Sequence, residues 1–110
     1  MKVFVVATRN QERPAEDFAS LMDPEADHAL KLYKEGFVRE IYSRTDGKGA
    51  LVVVEAENEK AALDKLSHLP LAKAGLLSFE VYGTTAYRGI IRGIWKKRGN
   101  YAKIISLSKC

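Results

Sequence analysis

Glu25 and His28 stand three residues apart in a segment with helical patterning, so their side chains are neighbours on one helix surface. A carboxylate beside an imidazole is a simple pair for moving a proton. By the helical angle Glu25 lies at the edge of an apolar stripe beside Leu32, with His28 further toward solvent. Partial burial would raise the carboxyl pKa and make Glu25 a proton shuttle, with His28 as a second titrating group. The competing reading is structural: Glu25 favours the positive end of its helix and His28 is a surface residue.

Arg39 is the candidate anchor for an anionic substrate, because a guanidinium grips a carboxylate through two parallel hydrogen bonds. An ion pair with Glu40, Glu55 or Glu80 across strands would occupy it equally well. In an ideal strand Arg39 and Tyr42 point to opposite faces, so they share a pocket only where a bulge or strand end intervenes. Tyr82 and Tyr87 are placed to cap a pocket or a subunit seam, with packing the favoured role. Tyr87 joins Arg39 and Tyr42 as a substrate-binding candidate. Two histidines and one terminal cysteine form no cluster of zinc or iron ligands, and no nucleophile elbow, P-loop or dinucleotide fingerprint is present in the sequence. His68, after the last turn of a helix, reads as structural or exposed.

The elements that must hold these side chains follow a simple order. Val3–Ala7 reads as a first strand, ended by the polar stretch Thr8–Arg13. Pro14 suits the first turn of a helix that reaches about Met22, and Pro24 interrupts it. A longer helix then runs to Glu35, with Ala26, Ala29, Leu30 and Tyr33 on its apolar face and Gly36 as its stop. Phe37–Arg44 and Gly49–Glu55 flank the turn Thr45–Lys48 and form a hairpin. Asn58 caps a helix over Glu59–Leu69 with an inner stripe of Ala62, Leu63, Leu66 and Leu69, Pro70 stops it, and Leu76–Tyr82 is the last strand. The order β-α-β-β-α-β predicts an α+β, ferredoxin-like protomer with a four-stranded antiparallel sheet. Two helices cover one sheet face only. Leu51–Val54 is apolar on both faces, so packing against a second copy is expected.

At 110 residues the chain has room for one domain, assigned to residues 1–89, and a C-terminal extension over residues 90–110. Residues 1–87 carry 11 basic and 14 acidic side chains, whereas residues 88–110 carry 7 basic and none acidic. The net charge of +4 therefore hides a mildly acidic body with a basic tail. That tail reads as a hairpin arm or a short helix. Its Ile, Trp and Tyr residues favour contact with a neighbouring subunit, with an acidic partner, anionic lipid or nucleic acid as the alternatives. No apolar run is long enough for a signal peptide or a membrane span, so a cytoplasmic protein is expected.

Tyr33-Lys34-Glu35-Gly36 leading into the second strand, and Leu66-Ser67-His68-Leu69-Pro70-Leu71 followed by Phe79-Glu80-Val81, resemble the muconolactone isomerase group of the dimeric α/β-barrel superfamily. The resemblance covers roughly Met1–Gly89. It implies a ferredoxin-like protomer, a homodimer or higher homo-oligomer with back-to-back sheets, and a small-molecule pocket between sheet and helices. It also implies proton transfer without metal or organic cofactor. Aligned on Lys34-Glu35-Gly36, Glu25 falls opposite an acidic residue of the family's first helix, and Arg39 opposite an arginine of its second strand. Two positions depart: Glu40 replaces the family's histidine and Tyr42 its tryptophan. The expected function is a cofactor-independent isomerase or cyclase-like enzyme acting on a small unsaturated or carbonyl compound. The alternative is a non-catalytic binding or assembly protein that displays the basic tail.

Overall fold

The computed structural model describes residues 1–90, and its elements follow the order read from the sequence. Strand β1 (Lys2–Arg9) leads through α1 (Glu16–Ala19) and α2 (Met22–Lys34) to the hairpin of β2 (Val38–Ser43) and β3 (Gly49–Glu55). Helices α3 (Glu59–Leu66) and α4 (Pro70–Lys73) then return the chain to β4 (Leu77–Gly83). The sheet order is β2-β3-β1-β4 with every neighbouring pair antiparallel. This is the α+β, ferredoxin-like arrangement, in which β3 separates β1 from β2 and β1 separates β3 from β4.

Register decides which residues share a face. Val3 lies opposite Val54 and Gly83, Val5 opposite Val52 and Val81, and Ala7 opposite Ala50 and Phe79. These residues make the helix-side face, where Val3, Val5, Val52 and Val54 pack with Leu32, Phe37 and Leu66 as the core. Each such aliphatic side chain stabilises the fold by about 1.5–3 kcal/mol relative to exposure. The other face carries Phe4, Leu51, Tyr42 and Tyr82, all roughly half exposed. Val53 on that side is buried within the protomer, so the two-sided apolarity of Leu51–Val54 is only partly covered. On the edge strands the Tyr42 hydroxyl donates to Glu40 Oε1 at 2.7 Å, and the Tyr82 hydroxyl donates to Glu80 Oε2 at 2.7 Å. Both carboxylates hold their phenol partners' pKa above the usual value.

Several local expectations are corrected. Strand β1 continues past Ala7 to Arg9. Pro24 does not interrupt a helix; it is the third residue of α2, where a missing N–H costs nothing. The inward face of α2 is Glu25, His28, Ala29 and Leu32, whereas Leu30 and Tyr33 are 51% and 53% exposed. The helix begun at Glu59 ends at Leu66 instead of Leu69. Ser67 Oγ donates to the Asp64 carbonyl at 2.6 Å and His68 Nδ1 sits 2.8 Å from the same oxygen, the acceptor that a continuing helix would give the His68 amide. Pro70 then opens α4 at its first position. Leu63 is exposed, so the α3 side of the core is Ala62, Leu66 and Leu69. The Asn58 cap is as expected: its side-chain oxygen accepts the Ala61 N–H at 2.8 Å. Beyond Ile90 the extension, with its expected arm and subunit contact, lies outside the described residues.

Gly49 has φ +156°, and a Cβ there would run into the Ala7 carbonyl, whereas Gly47, φ +73°, has open space around it. Backbone cannot yield as a flexible side chain can. Gly49→Ala is therefore expected to destabilise the fold by about 1–3 kcal/mol, and Gly47→Asn, which tolerates the left-handed region, by much less. Urea unfolding of the two variants checks this; equal midpoints would mean that the β1–β3 contact at Ala7 is loose.

Candidate functional site

The inward stripe of α2 ends, at its first turn, on a carboxylate. Glu25 lines a cleft of about 50 Å³ between helices and sheet, whose walls include Ala7, Ala29, Ile41, Ala50, Leu77 and Phe79. The space suits a few waters or one end of a small ligand. The lining is otherwise apolar, so the carboxylate is desolvated and its pKa is raised. One backbone hydrogen bond, from Leu71 N–H to Glu25 Oε1 at 2.9 Å, pulls the pKa back, as do the charges of His28 and Arg9. Desolvation is the largest effect. The donor is available because α4 begins Pro70-Leu71: proline has no N–H, and the Leu71 amide in the first turn has no partner within its own helix. The segment Leu69-Pro70-Leu71 thus orients the carboxylate while its other oxygen makes no hydrogen bond among the described residues.

Of the residues singled out from sequence, the structure brings Glu25 and His28 together on α2, both half-buried. It separates them from the other three. Arg39 is the extra residue of a β-bulge, between the pairs Val38↔Val54 and Glu40↔Val53. It is exposed, makes no ion pair with the described residues, and is not among the charges that act on Glu25. The bulge lets Val38 and Ile41, three residues apart, both face the helices, and it puts Glu40 and Tyr42 on the opposite side. Tyr42 therefore stands on the face that carries no helix among the described residues. Tyr87 follows β4 and is 75% exposed. His68 is exposed at the end of α3, as expected.

Arg9 is the residue that sequence reasoning missed. It continues the period of Val3, Val5 and Ala7, lies opposite Leu77, and so reaches the helix side at the end of the cleft that holds Glu25. Its guanidinium sits over the Phe18 ring, 5.7 Å from the centroid. Backbone bonds from Arg9 N–H to Lys48 O at 2.8 Å and from Asn10 N–H to Leu76 O at 2.9 Å fix this corner. The signal was present in the alternation, which runs two residues beyond the apolar part of the strand.

An α+β protomer with an acidic residue in a small sheet–helix cleft is thus the class defined by fold and site. No protein-family model matches the chain, and no curated protein does. Among solved structures it is similar to muconolactone isomerase, with a TM-score of 0.63 and 24% identity over 80% of this chain and 92% of that one. It is also similar to 5-chloro-2-hydroxyhydroquinone dehydrochlorinase from Burkholderia phenoliruptrix AC1100, solved with 2,5-dihydroxybenzoquinone, with a TM-score of 0.59 and 17% identity over 81% of this chain and 98% of that one. The chain therefore has the fold of muconolactone isomerase.

Because burial raises the Glu25 pKa, the folded chain holds this proton more tightly than the unfolded one. Between the ordinary value of 4.5 and the raised folded value the native state binds more protons, so stability falls as pH rises through that window. Glu25→Gln keeps an oxygen for Leu71 N–H and removes the charge. Thermal melts are expected to show the variant more stable than the parent at neutral pH, with the advantage gone below pH 4.5. Parallel curves across the whole range would place the carboxyl in water.

Proposed function

We propose that this protein is a small acid/base enzyme, a cofactor-independent isomerase or cyclase-like catalyst for a compact unsaturated or carbonyl compound. The observation that carries the proposal is a half-buried carboxylate lining a cleft, where a surface residue of a binding module would be solvated. Glu25 is the proton carrier. Its raised pKa brings it closer to neutral pH, where it can both take and return a proton. Leu71 N–H fixes one oxygen, leaving the other to remove the α-proton of a β,γ-unsaturated carbonyl compound; the electron pair moves into a dienolate, and the same carboxyl returns the proton to the γ-carbon as the double bond shifts to the α,β position. His28, half-buried on the next turn, modulates the charge of this carboxyl. The likeness in fold to muconolactone isomerase and to a dehydrochlorinase supports chemistry on small cyclic compounds.

The acting unit is proposed to be a homodimer. The helix-free face exposes Phe4 and Leu51 at its centre, and the Tyr42–Glu40 and Tyr82–Glu80 pairs flank them on the edge strands. A second copy would cover the apolar centre with the polar pairs near the rim. Tyr42 belongs in this reading to the seam. No helix among the described residues is long and apolar enough to cross a membrane.

Two measurements test the proposal. Deuterium exchange into a small β,γ-unsaturated lactone, followed by NMR, is expected to fall by about 10²–10⁴-fold in Glu25→Gln with the circular dichroism spectrum unchanged; full exchange in the variant would move the chemistry elsewhere. Light scattering at micromolar concentration is expected to give at least a dimer for the parent, and a monomer for Phe4→Arg with helices retained. A monomeric parent would remove the paired-sheet reading.

A further inference from the structure

The cleft at Glu25 is too small for a whole organic substrate, so any ligand whose reacting end enters it must extend outward. Beyond Ala7 and Leu77, two of its walls, the next residue on the same face of β1 is Arg9. Arg9 also borders a second cleft, of about 360 Å³, between the end of β1 and α1. One wall of that cleft is apolar, from Ala15, Phe18 and Met22, and the other polar, from Arg9, Asn10 and Arg13. Of its two guanidinium groups one is already engaged: Arg13 Nε bonds Asp17 Oδ2 at 2.8 Å. Arg9 has no carboxylate within ion-pairing distance among the described residues, and its guanidinium carbon sits over the Phe18 ring. A cation–π contact consumes none of the guanidinium N–H groups, which remain able to bond a planar anion. The backbone clamps to Lys48 and Leu76 hold the strand end in place before any ligand arrives.

We propose that this second cleft is a carboxylate-binding subsite in which Arg9 takes the anion of a small amphipathic acid and Phe18 and Met22 take its apolar body. The subsite rests on the proposed function in that it delivers the far end of the same molecule to Glu25. It replaces Arg39 as the anchor, since Arg39 lies on the bulge of the edge strand and does not act on Glu25.

Amide-resolved NMR titrations of the full chain with benzoate, and with its uncharged analogue benzamide, test the subsite without knowledge of the substrate. Benzoate is expected to shift Arg9, Asn10 and Phe18 and to bind about tenfold more tightly than benzamide, the size of one charge-assisted hydrogen-bonded contact. Arg9→Met should erase that preference, Arg9→Lys should retain part of it because a point charge lacks the fork, and Lys60→Met on α3 should leave it intact. Equal affinity of the two probes for the parent, shifts confined to another surface, or an undiminished preference in folded Arg9→Met would each overturn the subsite. Glu25→Gln separates the two proposals: benzoate selectivity in this variant reports on Arg9 alone, whereas its loss of proton exchange reports on Glu25 alone.

Discussion

One hydrogen bond, from Leu71 N–H to Glu25, lets a charged side chain occupy the edge of an otherwise apolar cleft. An unpartnered carboxylate in such a lining would stay protonated or turn out to solvent. The amide that holds it exists because the chain breaks at Ser67 and His68 and restarts a short helix at Pro70, which leaves an amide at the new N-terminus without an intrahelical acceptor. The break between α3 and α4 is thus a part of the site. A helix continued straight from Glu59 to Lys73 would pair the Leu71 amide within itself and strand the carboxylate.

The sheet contributes position in a different way. Antiparallel register brings Ala7, Ala50 and Phe79 side by side, and small residues at two of these three places leave the space that larger ones would fill. Toward the other end of the strands the same face carries Val3, Val5, Val52 and Val54, packed under Leu32 and Leu66 with no such gap. A solid core at one end and a small open cleft at the other follow from alanine replacing valine at two register positions.

Much of this was legible in the sequence. The turn Thr45–Lys48 and the cap at Asn58 are local chemistry, set by residues within a few positions of each other, and both stand where expected. Helical spacing put Glu25 and His28 on one helix surface, and both lie half-buried on α2, because such spacing survives small errors in helix boundaries. What failed depended on long-range packing. The inward face of α2 includes Glu25 and His28, so a count of apolar residues selected the stripe of Leu30 and Tyr33, which lies outside. Arg39 was singled out by its guanidinium chemistry and by the resemblance, and no residue type at 38–40 announces the bulge on which it sits. Arg9 was lost for the opposite reason: alternation was abandoned where the side chains turned polar, although the strand went on.

The two departures from the muconolactone isomerase pattern, Glu40 and Tyr42, take on another meaning once they are located. They are bonded to each other at 2.7 Å on the helix-free face, with the whole thickness of the sheet between them and the cleft of Glu25. Both are exposed, and the phenol donates to the carboxylate along the edge strand. The same combination recurs as Glu80 and Tyr82 on the opposite edge strand. The pattern thus stands on both edges of one face, apart from the cleft that holds Glu25. The charge that Glu25 feels from the sheet comes instead from the end of β1, where Ala7 borders its cleft and Arg9 stands one step further on the same face.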